Sequence, residues 1–465
     1  MNVIMDMPYS VAWADSGDTT ASINKLKKAL TCTIRKFSPT GHQSSTKLCL
    51  LEEADVVVED GSVEGVMNKG WRIRTGLLYR VQNVAPAFGL EIKIVRDLRL
   101  PADQWPKQPL VGGTLEVSLR PYQEDLVTRI LQQDMGVMEA ATGAGKTRMA
   151  AAMISRTHAS TLFLVHTKDL LEQARAALSG LLGIEVGVVG DGVKDIKPVT
   201  VGMVQTMINM GEEMYWDMVI VDETHHLPAD TLYSVTSHFK SRRVYGLSAT
   251  SYRQDGGDLL IEAGAGPISA KIGASELIRD GVLVRPVIRF LPVPDKTSYS
   301  PAPAWAAYSK YVVKNVGRNK MVAKWAKEFV DKGMSVVVAV RHLKHAALIG
   351  ELLQAQGTEF VVLDGKDKSE TRQRVLQELR DKKTRLVLST LLSEGVDVPS
   401  LDCLINASGG RDTMQLVGRV LRASPGKKVA TIMDFVDNGH VTLQRTSWAR
   451  IKRLKEESEF FVMVG

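Results

Sequence analysis

The 465-residue sequence is poor in cysteine, with Cys32, Cys49 and Cys403 scattered along it. No Cys-x-x-Cys pair occurs, which argues against a zinc ribbon and against a disulfide framework. The three thiols read as reduced packing residues of an intracellular protein. No apolar run approaches the roughly 20 residues needed to span a bilayer. The first residues lack a basic segment, and Asp6 and Asp15 interrupt any apolar stretch of the kind a secretory signal needs. No internal repeat is visible. These absences make a soluble, cytoplasmic chain with no membrane partner the expectation.

What is present is an ordinary globular balance, 44% hydrophobic and 24% charged. At about 150 residues per domain the length allows about three domains. The formal net charge of +7 favours a polyanionic partner, because bound Lys and Arg displace counterions condensed on a phosphate backbone. Charge alone does not separate such a protein from the many basic proteins that bind no nucleic acid.

From about residue 113 onward, short apolar strands alternate with amphipathic helices. Candidate strands are Leu162–Val165, Val199–Val204, Met218–Asp222 and Val244–Ser248. A second series comprises Ile288–Val293, Val336–Val340, Phe360–Leu363, Leu386–Ser389, Leu404–Ala407 and Ala430–Phe435. Their β-branched, nearly continuous character fits strands covered on both faces. Val322, Trp325, Ala326 and Phe329 repeat at helical spacing, with Gly333 as a stop. Asp367 and Glu370 predict a capping box for the helix carrying Val375, Leu376 and Leu379. The alternation predicts an α/β fold, with two tandem domains of mostly parallel sheet over 113–284 and 285–465. Residues 1–112 read instead as a small strand-rich α+β domain. Its expected helix is Asn24–Leu30 and its expected strands are Thr31–Ile34, Lys47–Leu51, Val56–Val58, Trp71–Leu78 and Glu91–Val95. It ends near Pro101–Pro109 and Gly112-Gly113.

The sharpest chemical signal is Ala140-Ala141-Thr142-Gly143-Ala144-Gly145-Lys146-Thr147, between an apolar segment and a helix. Glycines let such a loop wrap phosphate with backbone N–H groups, and the helix N-terminus adds positive potential. Lys146 would reach the β- and γ-phosphates of ATP, and the Thr147 hydroxyl would ligate Mg²⁺. Ala140 stands where a strict phosphate-loop pattern has its first glycine. Downstream, Val219-Ile220-Val221-Asp222-Glu223 ends a buried strand in adjacent carboxylates, at the strand end where α/β sheets bind ligands. Asp222 would hold Mg²⁺, and Glu223 would orient and deprotonate the attacking water. His225 and His226 do not make a zinc site, since adjacent side chains diverge and no Cys or His cluster accompanies them.

With these residues in place the sequence resembles the superfamily 2 helicases. Asp222-Glu223-Thr224-His225 looks like their DExH box, and Gly246-Leu247-Ser248-Ala249-Thr250 like their SAT motif. Thr390 with Ser393-Glu394-Gly395-Val396-Asp397 looks like motif V. Gln415, Gly418, Arg419 and Arg422 fit motif VI, and Arg120-Pro121-Tyr122-Gln123 fits the adenine-reading segment. The motifs arrive in family order over about residues 115 to 435. The resemblance implies two RecA-like domains. It further implies that Gln123 and Arg120 face adenine, that Asp397 contacts ribose, and that Arg419 and Arg422 are arginine fingers. Gln415 would sense the γ-phosphate or position water. His225 favours DNA motors over DEAD-box RNA unwinders. Arg253-Gln254-Asp255 and the segment Glu276 to Leu283 resemble the XPB-like group.

The small N-terminal domain adds a likeness to UvsW-type bacteriophage recombination helicases. That likeness implies 3′→5′ tracking, action on forked or branched DNA, and, for a phage-encoded chain, residence in the host cytoplasm. A motor that pumps duplex without separating strands, or one that acts on RNA, remains the alternative.

By the same resemblance, Thr167, Lys168, Gln205 and Thr206 in the first domain are candidates for contacting the DNA backbone. Arg341, His342, Lys344 and Thr390 are the candidates in the second. Each also reads as a loop cap or a solvated charge. Lys69, Arg72, Arg74 and Arg80 are interleaved with Trp71, Ile73 and Tyr79, which predicts a half-buried strand with a wet basic face or, on a sharper reading, a face by which this accessory domain contacts the duplex or a fork arm. Arg450, Lys452, Arg453 and Lys455 read as the solvated face of a terminal helix that also carries Trp448, Ile451 and Leu454. The protein is expected to act as a monomer.

Overall fold

The computed structural model describes residues 1–5, 9–13, 20–37, 43–60, 63–97, 116–210, 214–224, 240–249, 258–299, 303–391, 401–410 and 413–465. Outside the described residues lie the expected boundary at Pro101–Pro109 and Gly112-Gly113, and also His225, His226, Thr250 and Arg253-Gln254-Asp255. Ser393 to Asp397 lie outside them as well. The chain divides into two compact units, Met1–Ala140 with Gly145–Lys271 and Ala141–Ala144 with Ile272–Gly465.

The first unit begins with β1 (Asn2–Met5), β2 (Tyr9–Trp13), α1 (Thr20–Ala29), β3 (Thr31–Phe37), β4 (Gln43–Cys49), β5 (Leu51–Asp60), β6 (Val63–Arg74), α2 (Leu78–Val84) and β7 (Lys93–Asp97). Five of these strands form a sheet in the order β5-β6-β2-β1-β7, while β3 and β4 pair as a hairpin. Ile23, Leu26 and Leu30 recur at helical spacing and pack with Leu51, Ile73, Leu77, Leu78 and Val81.

The expected strand Trp71–Leu78 stops at Arg74. Leu77, Leu78 and Val81 then reach the core from a 3₁₀ turn, Thr75–Leu77, and from α2. A helical repeat serves these apolar residues better than strand alternation does. The wet basic face is also corrected. Arg72 is exposed and pairs with Glu52 at 2.7 Å, whereas Arg74 is buried.

The same unit continues with α3 (Pro121–Leu131), β8 (Met135–Ala140), α4 (Lys146–Thr157), β9 (Thr161–Val165), α5 (Lys168–Leu182), β10 (Gly187–Gly190), β11 (Val193–Asp195), β12 (Val199–Met203), α6 (Val204–Asn209), β13 (Tyr215–Val221), β14 (Lys240–Ser248), α7 (Asp258–Ala265) and β15 (Ile268–Ile272). Among the described residues the strands form one sheet in the order β11-β10-β12-β9-β13-β14-β8-β15. From β10 through β12, β9, β13 and β14 to β8 every pairing is parallel. The crossover helices bury both faces, which is why β9 is buried at every position. Leu260 and Ala263 of α7 close the core of the N-terminal strands, and Arg80 on α2 pairs with Glu262 at 2.5 Å.

The second unit holds α8 (Ala274–Arg279), β16 (Arg285–Pro292), α9 (Ala304–Tyr308), α10 (Val316–Asp331), β17 (Val336–Ala339), α11 (Leu343–Ala355), β18 (Val361–Leu363), α12 (Ser369–Arg380), β19 (Leu386–Ser389), β20 (Cys403–Asn406), α13 (Thr413–Val420), β21 (Val429–Val436), α14 (Val441–Lys455) and β22 (Phe461–Val464). Its sheet runs β18-β19-β17-β20-β21-β16-β22 and is parallel throughout. Val322, Ala326 and Phe329 of α10 pack on Val336, Val338 and Ile405. Gly333, just past the C-cap of α10, takes a left-handed φ of 78° and stops the helix as expected.

The capping box is corrected. Lys368 is the N-cap of α12, and the Asp367 carboxylate instead accepts from the backbone N–H of Asp364 at 2.7 Å. Arg450 is corrected too, since it is buried at 2% exposure, while Trp448 is half exposed. The heptad-like register Leu443, Ser447, Ile451, Leu454 turns Arg450 inward.

Candidate active site

The loop between β8 and α4 takes its shape from glycine. Gly145 is the N-cap of α4 with φ +85°, and a Cβ there would lie 2.5 Å from Gln123 Nε2. Only glycine fits that backbone and that neighbour together. Gln123 is itself fixed, because its Oε1 accepts from the Arg120 backbone N–H at 3.0 Å where α3 begins. The adenine-reading candidates Arg120 and Gln123 and the phosphate-loop candidates Gly145, Lys146 and Thr147 are therefore brought together within the first unit.

Opposite, β13 delivers Asp222 and Glu223. Asp222 donates its backbone N–H to Leu164 O at 2.9 Å, continuing the sheet for one more residue. Glu223 then takes a left-handed φ of 48°, a conformation that costs a residue with a Cβ of order 1 kcal/mol or more. Two contacts hold it there. Its backbone N–H donates to Asp222 Oδ1 at 3.0 Å, and Thr224 donates its N–H to Leu247 O at 3.1 Å, tying the turn to β14. The turn aims Glu223 at the phosphate loop, and its Oε1 lies 3.4 Å from Lys146 Nζ.

Burial raises the Asp222 carboxyl to about 7, helped by the neighbouring Glu223 charge and opposed by Lys146 and the Glu223 N–H. A half-buried acid beside a second acid, within the field of a lysine, favours a divalent cation. Asp222 and the Thr147 hydroxyl are oxygen donors of the kind Mg²⁺ takes, so the residues fit the ion.

The second unit takes in Ala141–Ala144. There, Gly418 of α13 has no room for a side chain, since a Cβ would lie 2.8 Å from the Thr142 Cβ. A Cβ on Gly143 would meet Arg422 Cγ at 3.5 Å. Arg422 pairs with Leu283 as an isolated β-bridge, and Val284 donates its N–H to Leu421 O at 2.7 Å. Thus Thr142 and Gly143 lie against the segment carrying Gln415, Arg419 and Arg422. Asp397 is outside the described residues.

The candidates for DNA contact follow strand ends. Thr167 caps α5 and accepts from Leu170 N at 3.3 Å, while Lys168 pairs with Asp191 at 2.6 Å. Gln205 and Thr206 open α6 directly after β12. In the second unit Arg341, His342 and Lys344 are exposed beyond β17, and Thr390 donates its N–H to Leu363 O at 3.2 Å.

Sequence reasoning missed Arg318, Tyr308, Asp434 and Asp437. Arg318 is fully buried against Asp437 at 2.6 Å, and Arg450 is buried against Asp434 at 2.9 Å. An aspartate near the end of an apolar strand, Ile432-Met433-Asp434-Phe435, was the available signal, because a buried charge needs a partner.

Residues 116–253 match the family described as type III restriction enzyme, res subunit, and residues 320–424 match the helicase conserved C-terminal domain. The chain is similar to the DNA 3′-5′ translocase XPB2 of Sulfurisphaera tokodaii, 27% identical over 378 residues that cover 71% of this chain and 84% of that protein. It is 25% identical over 367 residues to the ATP-dependent DNA helicase uvsW of Enterobacteria phage T4, covering 73% of this chain and 72% of that one. Other relatives are longer, and the matches span between 44% and 60% of four of them. Among solved structures, the type ISP restriction-modification enzyme LlaBIII bound to DNA aligns with 80% of this chain and 33% of its own, with TM-score 0.56 and 15% identity. That likeness is one of fold. Among the described residues no helix is long and apolar enough to cross a membrane.

Proposed function

The chain belongs to helicase superfamily 2, and from that premise we propose that it is an ATP-dependent DNA helicase that tracks 3′→5′ and unwinds or branch-migrates forked and junction DNA as a monomer. The observation that carries the reading is the Lys146–Glu223 contact at 3.4 Å beside the half-buried Asp222. Lys146 leaves Glu223 for the phosphates when nucleotide binds. Glu223, freed, orients the attacking water and accepts its proton. Thr147 and Asp222 hold Mg²⁺, which when bound offsets phosphate charge.

Thr142, Gly143, Ala144 and Gly145 cradle phosphate oxygens through backbone N–H groups. Arg120 and Gln123 hold the adenine, and Asp397 the ribose. Arg419 and Arg422 stabilise charge on the transferred phosphoryl group, worth about 10³–10⁵ in rate for such guanidinium groups, while Gln415 positions the water. Thr167, Lys168, Gln205, Thr206, Arg341, His342, Lys344 and Thr390 hold the DNA backbone without reading sequence.

Strand displacement tests the proposal, with ATP and four substrates: a fork, a four-way junction, plain duplex DNA and duplex RNA. Unwinding that favours the fork or junction is the expected result. Preference for duplex RNA overturns the DNA reading. ATP turnover on duplex DNA with no strands released at any fork makes the protein a duplex translocase instead.

A further inference from the structure

In the second unit the segment Ala407–Gly410 leads from β20 toward α13, the helix that carries Gln415 and Arg419. Side chains from three helices hold its carbonyl oxygens. Arg318 Nη1 of α10 donates to Ala407 O at 2.9 Å, and Arg450 Nη1 of α14 donates to Gly409 O and Gly410 O, each at 3.2 Å. Tyr308, the last residue of α9, donates its hydroxyl to Ser408 O at 2.8 Å.

The two arginines are fixed points. Each is fully buried in an ion pair, with Asp437 or Asp434, and neither can leave without stranding a buried carboxylate. Tyr308 is only half buried, and its ring carries two exposed neighbours. The Arg341 guanidinium sits 5.8 Å over its face, and the His342 ring meets its edge at 5.8 Å. Immediately after Tyr308 the helix widens into a π turn, Ser309–Val313, a geometry that recurs at functional sites.

We propose that Tyr308 is a positioning residue that couples a DNA strand held at Arg341 and His342 to the arginine-bearing helix α13, through its hydrogen bond to Ser408. This rests on the roles given above to Arg341, His342 and Arg422. A phosphate on Arg341 competes with the aromatic face for the guanidinium, since a cation–π contact at an exposed site is weak. The ring then turns, and its hydroxyl carries Ser408 O with it. Movement of Ser408 between two anchored neighbours is passed along the backbone toward α13. Burial pushes the phenol up to about 12, so the hydroxyl remains a donor throughout the neutral range.

The test is Tyr308→Phe, which keeps the ring under Arg341 and against His342 and removes only the donated hydrogen bond. ATP turnover is measured in the full chain with and without a single-stranded DNA oligonucleotide, beside Arg422→Ala and with melting temperature recorded. Expected is a fall of about fivefold in the ratio of DNA-stimulated to basal turnover, the size of one neutral hydrogen bond, with basal turnover and oligonucleotide affinity unchanged and the melting temperature lowered by no more than about 2–4 °C. An unchanged ratio in Tyr308→Phe, with turnover lost in Arg422→Ala, overturns the coupling and leaves the function standing. Equal loss of basal and stimulated turnover with a larger fall in melting temperature makes Tyr308 structural only. Wild-type turnover in Arg422→Ala overturns the arginine assignment and the coupling with it.

Discussion

Strands β13 and β21 are both buried parallel strands that finish in two carboxylates, and the protein treats the two endings in opposite ways. Near the end of β21, Asp434 and Asp437 are met by buried guanidinium groups of Arg450 and Arg318, at 2.9 and 2.6 Å. At the end of β13, no arginine among the described residues pairs with Asp222. It keeps the backbone N–H of Glu223 and the field of Lys146, and its carboxyl is pushed up to about 7. Glu223 adopts a left-handed backbone to face Lys146. An acidic ending filled by the protein's own arginine is architecture. One left to a lysine and an exchangeable cation is suited to chemistry, because its charge can change hands.

The largest effect expected from breaking this contrast is on the first ending. Glu223→Gln keeps the size and the backbone but removes the proton acceptor. ATP turnover should fall by about 10²–10⁴ while ATP still binds, as judged by equilibrium nucleotide titration alongside steady-state turnover. Turnover near the wild-type rate removes Glu223 from the chemical step.

The next effect is on the second ending. Arg450→Ala leaves Asp434 buried without its guanidinium and should cost about 3–5 kcal/mol of stability in denaturant unfolding. By contrast Asp222→Asn should cost little or stabilise the nucleotide-free protein, since it relieves a half-buried acid whose carboxyl is raised by desolvation and by Glu223. A destabilised Asp222→Asn would erase the distinction between the two endings.

The smallest effect is on pH dependence, and here the two units should differ in sign. Asp222 has a folded value of about 7, above 3.8, so the folded state holds the proton more tightly. Its contribution is fully present below about pH 4 and is lost as pH rises through about 7. His345, buried in the second unit against Asn319 Oδ1 at 2.9 Å, is lowered from 6.5 to about 3, chiefly by desolvation. Its contribution is present above about pH 6.5 and is lost as pH falls toward 3. Unfolding measured between pH 5 and 8 should therefore lose its rising-pH decline in Asp222→Asn and its acid-side decline in His345→Gln. Parallel curves for the two variants and the wild type would show that neither group carries the dependence.

The first ending was legible in the sequence and the second was not, for a physical reason. Wrapping phosphate and holding a cation need contiguous residues, Thr142 to Thr147 and Asp222-Glu223, so spacing alone exposes them. The guanidinium clamps are assembled by the fold. Arg318 and Asp437 are 119 residues apart, and Arg450 reaches Gly409 across 41. Nothing local marks Arg450 as different from Lys452 and Arg453 except its register with Ser447 and Leu454. Arg74 escaped in the same way, as a buried basic residue in a stretch that also carries Lys69 and Arg72. Most strands beyond residue 113 were readable within one to four residues at either end, because parallel strands are continuous apolar runs. The short edge strand β11, Val-Lys-Asp, lacks that signature and was missed, and β22 was missed although Phe461–Val464 is apolar throughout.

The contrast between the endings is tested most directly by counting protons. When ATP with Mg²⁺ binds at a pH of about 6, the neutral Asp222 must ionise to take the cation, and about one proton should be released per site. Binding heats compared across buffers of different ionisation enthalpy report that number. The account predicts release from the wild type and none from Asp222→Asn, with Arg450 variants that remain folded behaving as wild type. No proton released by the wild type, with nucleotide and metal demonstrably bound, would contradict it.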